Sequence, residues 1–320
     1  MKGAQLLNTA NLSVGYNEKP VFDGLNLGLS SGKFTCFMGP NGIGKSTLIR
    51  TLAGLQKPLG GAVSNKDQGR HPAVVLTDRI AAGYMTVRQL VTFGRYPYLS
   101  WNLKLGKTDS DAIESAIARL HLQSLADRRL HELSDGQIQL AQIARVLAQE
   151  TNIILLDEPT AHLDLNNRLE ITLLLRQLAH EGKAVLMATH ELDLALQTAD
   201  EVWLAGGPKG ILVGAPEDLV LQGAFDDIFR LKGFDLLTGK VLHSTSRKMT
   251  VAVPGDHPAA LWTRNALERS GYLVQTGDAD LTISLSPRHS AGLEWTIDGG
   301  ERHRSIESLL MALHHLEHGR

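Results

Sequence analysis

Gly39 to Thr47 reads GPNGIGKST, directly after the apolar run FTCFM of Phe34 to Met38. The pattern G-x-x-x-x-G-K-[ST] is filled by Gly39, Gly44, Lys45 and Ser46, and the preceding run has the length and character of a buried strand. A strand, a glycine-rich loop and a helix in that order predict a seat for nucleotide phosphates. Glycines let backbone N–H groups converge on the phosphates, and a helix beginning near Lys45 turns its positive end toward them. Asn41, Gly42 and Thr47 complete the loop. Lys45 is placed to bring an ammonium to the outer phosphates, and the Ser46 hydroxyl is a hard oxygen ligand for Mg²⁺.

Further along, Ile153 to Thr160 reads IILLDEPT. Its unbroken apolar start predicts a buried parallel strand that delivers Asp157 and Glu158 at its C-terminal edge, where ligands sit in open α/β sheets. Asp157 suits Mg²⁺ or its water shell, and Glu158 suits proton abstraction from an attacking water. Leu133 to Gln137 reads LSDGQ, in which Ser134 and Gln137 form a capping box opening a helix with the stripe Leu140, Ile143, Ala144, Leu147 and Ala148. AHLD (Ala161 to Asp164) and ATHE (Ala188 to Glu191) follow, the latter closing the apolar run Ala184 to Ala188.

These phrases, in this order from about Leu6 to Gly214, resemble the ATP-binding cassette (ABC) ATPase family, whose signature is usually written LSGGQ. The resemblance implies an α/β P-loop NTPase core with a helical subdomain at about residues 80–150, within an ATPase domain spanning residues 1–236. It implies ATP hydrolysis with Mg²⁺ by a homodimer closing around two ATP molecules. Lys45, Glu158 and the switch residue His190 then act on the nucleotide of their own subunit, while Ser134 and Gly136 reach the γ-phosphate held by the opposite one. Tyr16 matches the aromatic residue that stacks on adenine, and Asp164 the acid at the dimer seam. Two positions depart from the family. The stretch VVLTDR, Val74 to Arg79, lacks the family's Mg²⁺-touching glutamine, leaving Thr77 or Asp78 as an oxygen ligand, and Asp135 places a carboxylate where the signature has glycine.

Composition agrees with a cytoplasmic enzyme. A formal net charge of −2 over 320 residues gives no electrostatic case for nucleic acid as principal partner. A single cysteine, Cys36, excludes an intramolecular disulfide framework. No apolar stretch approaches the ~18 residues of a membrane span, so work at a membrane requires a separate membrane protein. The segment TVRQLVTFGRYPYLSW, Thr86 to Trp101, opens with the capping box Thr86-x-x-Gln89 and carries the aromatic cluster Tyr96, Tyr98 and Trp101, either interface anchors or internal packing. It resembles the corresponding stretch in ATPases of iron–siderophore, haem and vitamin B12 importers. That implies a peripheral subunit at the cytoplasmic face of the inner membrane, bound to a polytopic permease that receives cargo from an external binding protein. A soluble ABC ATPase without a transport role, or a regulatory nucleotide-binding module without turnover, is the alternative.

Pro216 to Leu221 and Ala224 to Phe229 read as short helices. Beyond them the pattern predicts a small α+β accessory domain over residues 237–320. Its elements are a strand at Met249 to Val253, a helix at His257 to Ser270, strands near Tyr272 to Gln275, Leu281 to Leu285 and Leu293 to Ile297, and a helix at Ser305 to His318. His314 and His318, one turn apart, read as a solvated helix end rather than a metal site.

Overall fold

The computed structural model describes residues 3–67, 70–77, 84–101, 103–206, 210–230, 232–236, 238–275, 277–287 and 293–318. The chain divides into two compact units, residues 1–230 and 231–320.

The first unit opens with β1 (Gln5–Tyr16), β2 (Lys19–Leu25), β3 (Gly28–Ser30) and β4 (Phe34–Met38), then α1 (Lys45–Leu52), β5 (Gly60–Asn65) and β6 (Ala73–Val75). A helical segment follows: α2 (Val87–Thr92), a 3₁₀ turn over Phe93–Tyr98, α3 (Lys107–Arg119) and α4 (Asp135–Ala148). The chain returns through β7 (Ile153–Asp157), α5 (Leu165–His180), β8 (Ala184–Ala188), α6 (Leu192–Thr198), β9 (Glu201–Ala205), β10 (Ile211–Gly214), α7 (Pro216–Leu221) and α8 (Ala224–Phe229). β1 pairs antiparallel with β2, β3 and β5 in one sheet, a subsheet the sequence patterns leave unread.

The second sheet has the order β10-β9-β4-β8-β7-β6, parallel except for β10. Helices on both faces bury such strands completely, which is why they read as continuous apolar runs. β4, β7 and β8 are buried at every position. Two registers meet at one residue: Phe37 of β4 and Asp157 of β7 both pair with Ala188 of β8. The loops that leave β4, β7 and β8 therefore start from one edge of the sheet. Phe37 lies between Phe22 and Trp203, with ring centroids 6.3 and 6.2 Å away, and ties this sheet to the antiparallel one. Each such buried aromatic contributes on the order of 1.5–3 kcal/mol.

The helical segment is capped where the sequence says: the Gln89 N–H donates to Thr86 Oγ1 (3.2 Å) and the Thr86 N–H to Gln89 Oε1 (2.9 Å). Arg95 is the buried pin of this segment. It donates to Asp109 (2.9 Å), Glu150 (2.7 Å) and the carbonyl of Ala148 (2.8 Å), so its desolvated charge is compensated on three sides.

The second unit holds β11 (Phe234–Asp235) and β12 (Lys240–Val241) as a hairpin, then β13 (Thr250–Ala252), α9 (Pro258–Arg269), β14 (Leu273–Gln275), β15 (Leu281–Pro287), β16 (Leu293–Ile297), β17 (Arg302–His303) and α10 (Ile306–His318). Its sheet runs β14-β13-β15-β16-β17, with β13 parallel to both neighbours and the rest antiparallel. Val251, Leu267, Tyr272, Ile283, Trp295, Leu309 and Leu313 form its core. His257 lies outside α9 as its N-cap, accepting from the Ala260 N–H at 3.3 Å, so the expected helix begins one residue later.

Candidate active site

The phosphate-type loop leaves β4 at Gly39 and enters α1 at Lys45. Gly44 closes it with φ +106°, a backbone shape that L side chains rarely adopt, and a Cβ there would lie 2.4 Å from Val21 Cγ1. Asn41, Gly42 and Ser46 are exposed on the loop, while Thr47 is buried beneath it. The Lys45 ammonium, buried, donates to the carbonyls of Gly39 (2.9 Å) and Pro40 (3.3 Å). Burial pushes its pKa down, against the upward pull of the Glu158 and Asp157 carboxylates. A group held in this way trades two carbonyls for phosphate oxygens without rebuilding the loop.

β7 delivers the acids. Asp157 is buried, and its Oδ1 has no hydrogen-bond partner among the described residues. An unpaired buried carboxylate oxygen is costly unless a cation or donor completes it. Glu158 turns the chain sharply, at φ +50°, and its N–H donates to the carbonyl of Ala188 at 3.0 Å. A non-glycine residue held in this region stores on the order of 1–3 kcal/mol, a pattern found at functional sites. The turn brings Glu158 Oε1 to 3.6 Å from Nδ1 of His190 at the end of β8, where the imidazole is half exposed.

Three segments far apart in sequence thus converge at one sheet edge: the loop after β4, the acids after β7 and the histidine after β8. Thr77 joins them, donating from Oγ1 to the carbonyl of Asp157 at 3.0 Å. Asp78 lies outside the described residues. Tyr16 ends β1 and is half exposed.

The start of α4 is built by a reciprocal cap: the Gln137 N–H donates to Ser134 Oγ at 3.3 Å and the Ser134 N–H to Gln137 Oε1 at 3.1 Å. A Cβ on Gly136 would lie 2.9 Å from Asn167 Cγ, so a side chain there would displace the Asn167 amide. Asn167 is in turn held by Asp164, the N-cap of α5, which accepts from its backbone N–H and its amide, both at 2.9 Å. The glycine of LSDGQ and the acid of AHLD therefore share one packing unit.

A cleft of ≈ 230 Å³ places α4 opposite these acids, with Asp135, Gln139 and Gln142 on one wall and Thr77, Asp157 and Glu158 on the other. Asp135 thus adds a third carboxylate to the site. The sequence reading passes over Gln139 and Gln142. Their only signal is a pair of amides three residues apart on a helix that is otherwise apolar where it is buried, and the buried Nε2 of Gln139 has no partner among the described residues.

The aromatic cluster of the helical segment splits. Tyr98 is tethered within the segment, under the Arg95 guanidinium at 4.1 Å and bonded to the carbonyl of Gln149, while keeping 38% of its surface exposed. Tyr96 packs edge-on against Phe93 yet stays half exposed, and Trp101 is fully exposed. Tyr84, Phe93 and Tyr96 line a shallow hollow. Among the described residues, no helix is long and apolar enough to cross a membrane.

Residues 22–161 match the model of the ABC transporter family, and residues 247–314 that of the iron ABC transporter C-terminal domain. The chain is 39% identical over 238 residues to an uncharacterized ABC transporter ATP-binding protein of Methanocaldococcus jannaschii, covering 71% of this chain and 82% of that one. It is 38% identical over 237 residues to the petrobactin import ATP-binding protein FpuD of Bacillus anthracis, covering 71% and 87%. Among solved structures, an inward-facing transporter assigned to the metal-chelate ABC type superposes with a TM-score of 0.66 at 30% identity, covering 71% of this chain and 90% of that one.

Proposed function

The chain belongs to the ATP-binding subunits of ABC transporters, and from that premise we propose that it powers import of an iron chelate through a separate membrane permease. The observation that carries the proposal is the shared register at Ala188, which brings Lys45, Asp157, Glu158 and His190 to one sheet edge. Relatives with import functions and the iron-type C-terminal match support the cargo class.

In this reading the loop from Gly39 to Thr47 wraps the phosphates and Lys45 neutralises the outer ones. Tyr16, half exposed, stacks on the adenine. Glu158, aimed by its strained backbone, takes the proton of the attacking water, a role typically worth ~10²–10⁴-fold. His190, beside Glu158, orients that water against the γ-phosphate. The unpaired buried oxygen of Asp157 and the exposed hydroxyl of Ser46 are hard donors that fit Mg²⁺, with Thr77 supporting Asp157 from behind. Held there, Mg²⁺ would neutralise negative charge on the bound nucleotide.

Two copies form the working unit. Ser134 and Gly136 present the start of α4 to the nucleotide of the opposite subunit, and Asp164, tied to Gly136 through Asn167, links that contact to the dimer seam. The hollow at Tyr84, Phe93 and Tyr96, with Trp101 beside it in sequence, receives the permease at the cytoplasmic face of the membrane. An external binding protein hands cargo to that permease. The boundary near residue 230 separates this ATPase unit from an accessory domain.

The test is affinity purification of tagged Glu158→Gln protein from detergent-solubilised native membranes with Mg-ATP. The expected result is co-recovery of one polytopic permease with the ATP-bound dimer. Recovery of soluble proteins alone, with the dimer demonstrably formed, contradicts the transport reading.

A further inference from the structure

The second unit carries a cleft of ≈ 690 Å³, within the size range of small-molecule sites, that no step of the hydrolysis reading uses. Helices α9 and α10 form its walls. Arg247 fixes their relation: its Nε donates to the carbonyl of Ser270, just past α9, at 2.9 Å, and its guanidinium pairs with Glu317 near the end of α10. The C-terminal ends of both helices therefore meet at one end of the cleft.

Trp262, Asn265 and Arg269 recur every three or four residues on α9 and so share the face that lines the cleft. Trp262 leaves 66% of its surface exposed, an expensive use of a large aromatic side chain with no apolar cover. Leu310 and Met311 face it from α10. Tyr272 also lines the cleft; it is buried, and its hydroxyl has no hydrogen-bond partner among the described residues. An unpaired buried hydroxyl is costly unless a partner reaches it.

Charge narrows the ligand. Glu317 neutralises Arg247, whereas Arg269 is exposed and has no ion-pair partner among the described residues. Glu307, ten residues before Glu317 on α10, stands about 15 Å along the helix from that end. Among the described residues that line the cleft, Arg269 is the one guanidinium without an ion-pair partner, with His314 and His315 on the facing helix, and beside the apolar Trp262, Leu310 and Met311 it matches a single negative charge on a flat apolar body. A polyphosphate would find too few cations and a facing carboxylate. We propose that this cleft binds a small aromatic carboxylate, with the carboxylate on Arg269 and Asn265 and the ring between Trp262 and Met311.

The experiment is isothermal titration of the full-length protein, without nucleotide, with 2-naphthoate and with its neutral analogue 2-naphthalenemethanol. Saturable 1:1 binding of 2-naphthoate is expected. Arg269→Ala should weaken it by roughly 10–150-fold, the span of a 1.5–3 kcal/mol charge-assisted contact, and Trp262→Ala by roughly 2–12-fold, the span of a 0.5–1.5 kcal/mol aromatic contact. The neutral analogue should bind wild type weakly and be indifferent to Arg269→Ala, and Leu221→Ala, at the exposed end of α7, should bind like wild type. No saturation at millimolar ligand, or equal affinity for both ligands, overturns the proposal. So does a change of oligomeric state in Trp262→Ala without ligand binding, which would make the cleft a contact between copies. The readout is independent of ATP hydrolysis, so its failure leaves the transport reading untouched.

Discussion

The largest sheets of the two units place their polar residues differently. In the first unit, β4, β7 and β8 are buried throughout, so polar chemistry is pushed to the loops at their ends. In the second, β16 has one buried position among five, and polar side chains are spread along the strands. A sheet covered on both faces concentrates reactive groups at one edge, where a short sequence phrase can encode them. A sheet with one open face offers no such edge, and its candidate site lies between helices instead.

Three changes probe that contrast, in order of expected size. Leu313, fully buried in the second core, should cost about 2–5 kcal/mol when changed to alanine, by lost contacts and a residual cavity. Calorimetry of Leu313→Ala should show the transition of the second unit lowered while ATP affinity is kept; a parallel loss of nucleotide binding would break the separation of roles. Lys45→Ala should weaken ATP binding by ~10–150-fold, the equivalent of 1.5–3 kcal/mol for a charge-assisted contact, measured with a fluorescent ATP analogue. The same variant should leave 2-naphthoate binding unchanged.

The smallest effect concerns Glu191, which follows His190. Burial pushes its carboxyl pKa up, only partly offset by Arg168 at 3.4 Å. With the folded pKa raised, the folded state holds the proton more tightly, so this group's contribution to stability falls as pH rises from about 4.3 through the folded value. Glu191→Gln should flatten that slope and change stability at neutral pH by no more than about 1 kcal/mol, since the Arg168 partner is partly exposed and its ion pair weak. Melting temperatures across this pH range decide it; an unchanged slope contradicts the assignment.

The contrast also explains what was legible. Phe34–Met38, Ile153–Asp157 and Ala184–Ala188 announce themselves because every residue but the last acid is apolar or small, and each run stops where chemistry begins. The caps at Thr86 and Ser134 are local events, closed within three residues, and are read directly, whereas Asp164, read from its motif as the acid of the dimer seam, is also the cap of α5. The bond from Thr77 to the carbonyl of Asp157 joins residues 80 positions apart and leaves no local trace. The same holds for Gln139 and Gln142, whose place opposite Asp157 depends on how α4 packs. In the second unit, β17 is two residues long, too short for any alternation, and the Trp262–Asn265–Arg269 face became visible only when α10 was seen beside it.

The most direct test of the account is phosphate release from purified wild-type and Glu158→Gln protein at saturating Mg-ATP. Steady turnover by wild type, with a fall of ~10²–10⁴-fold in the variant and ATP binding retained, is the predicted result. Undiminished turnover in Glu158→Gln would contradict the site, and wild-type turnover at background despite ATP-dependent dimerisation would make the chain a nucleotide-binding module rather than the motor of a transporter.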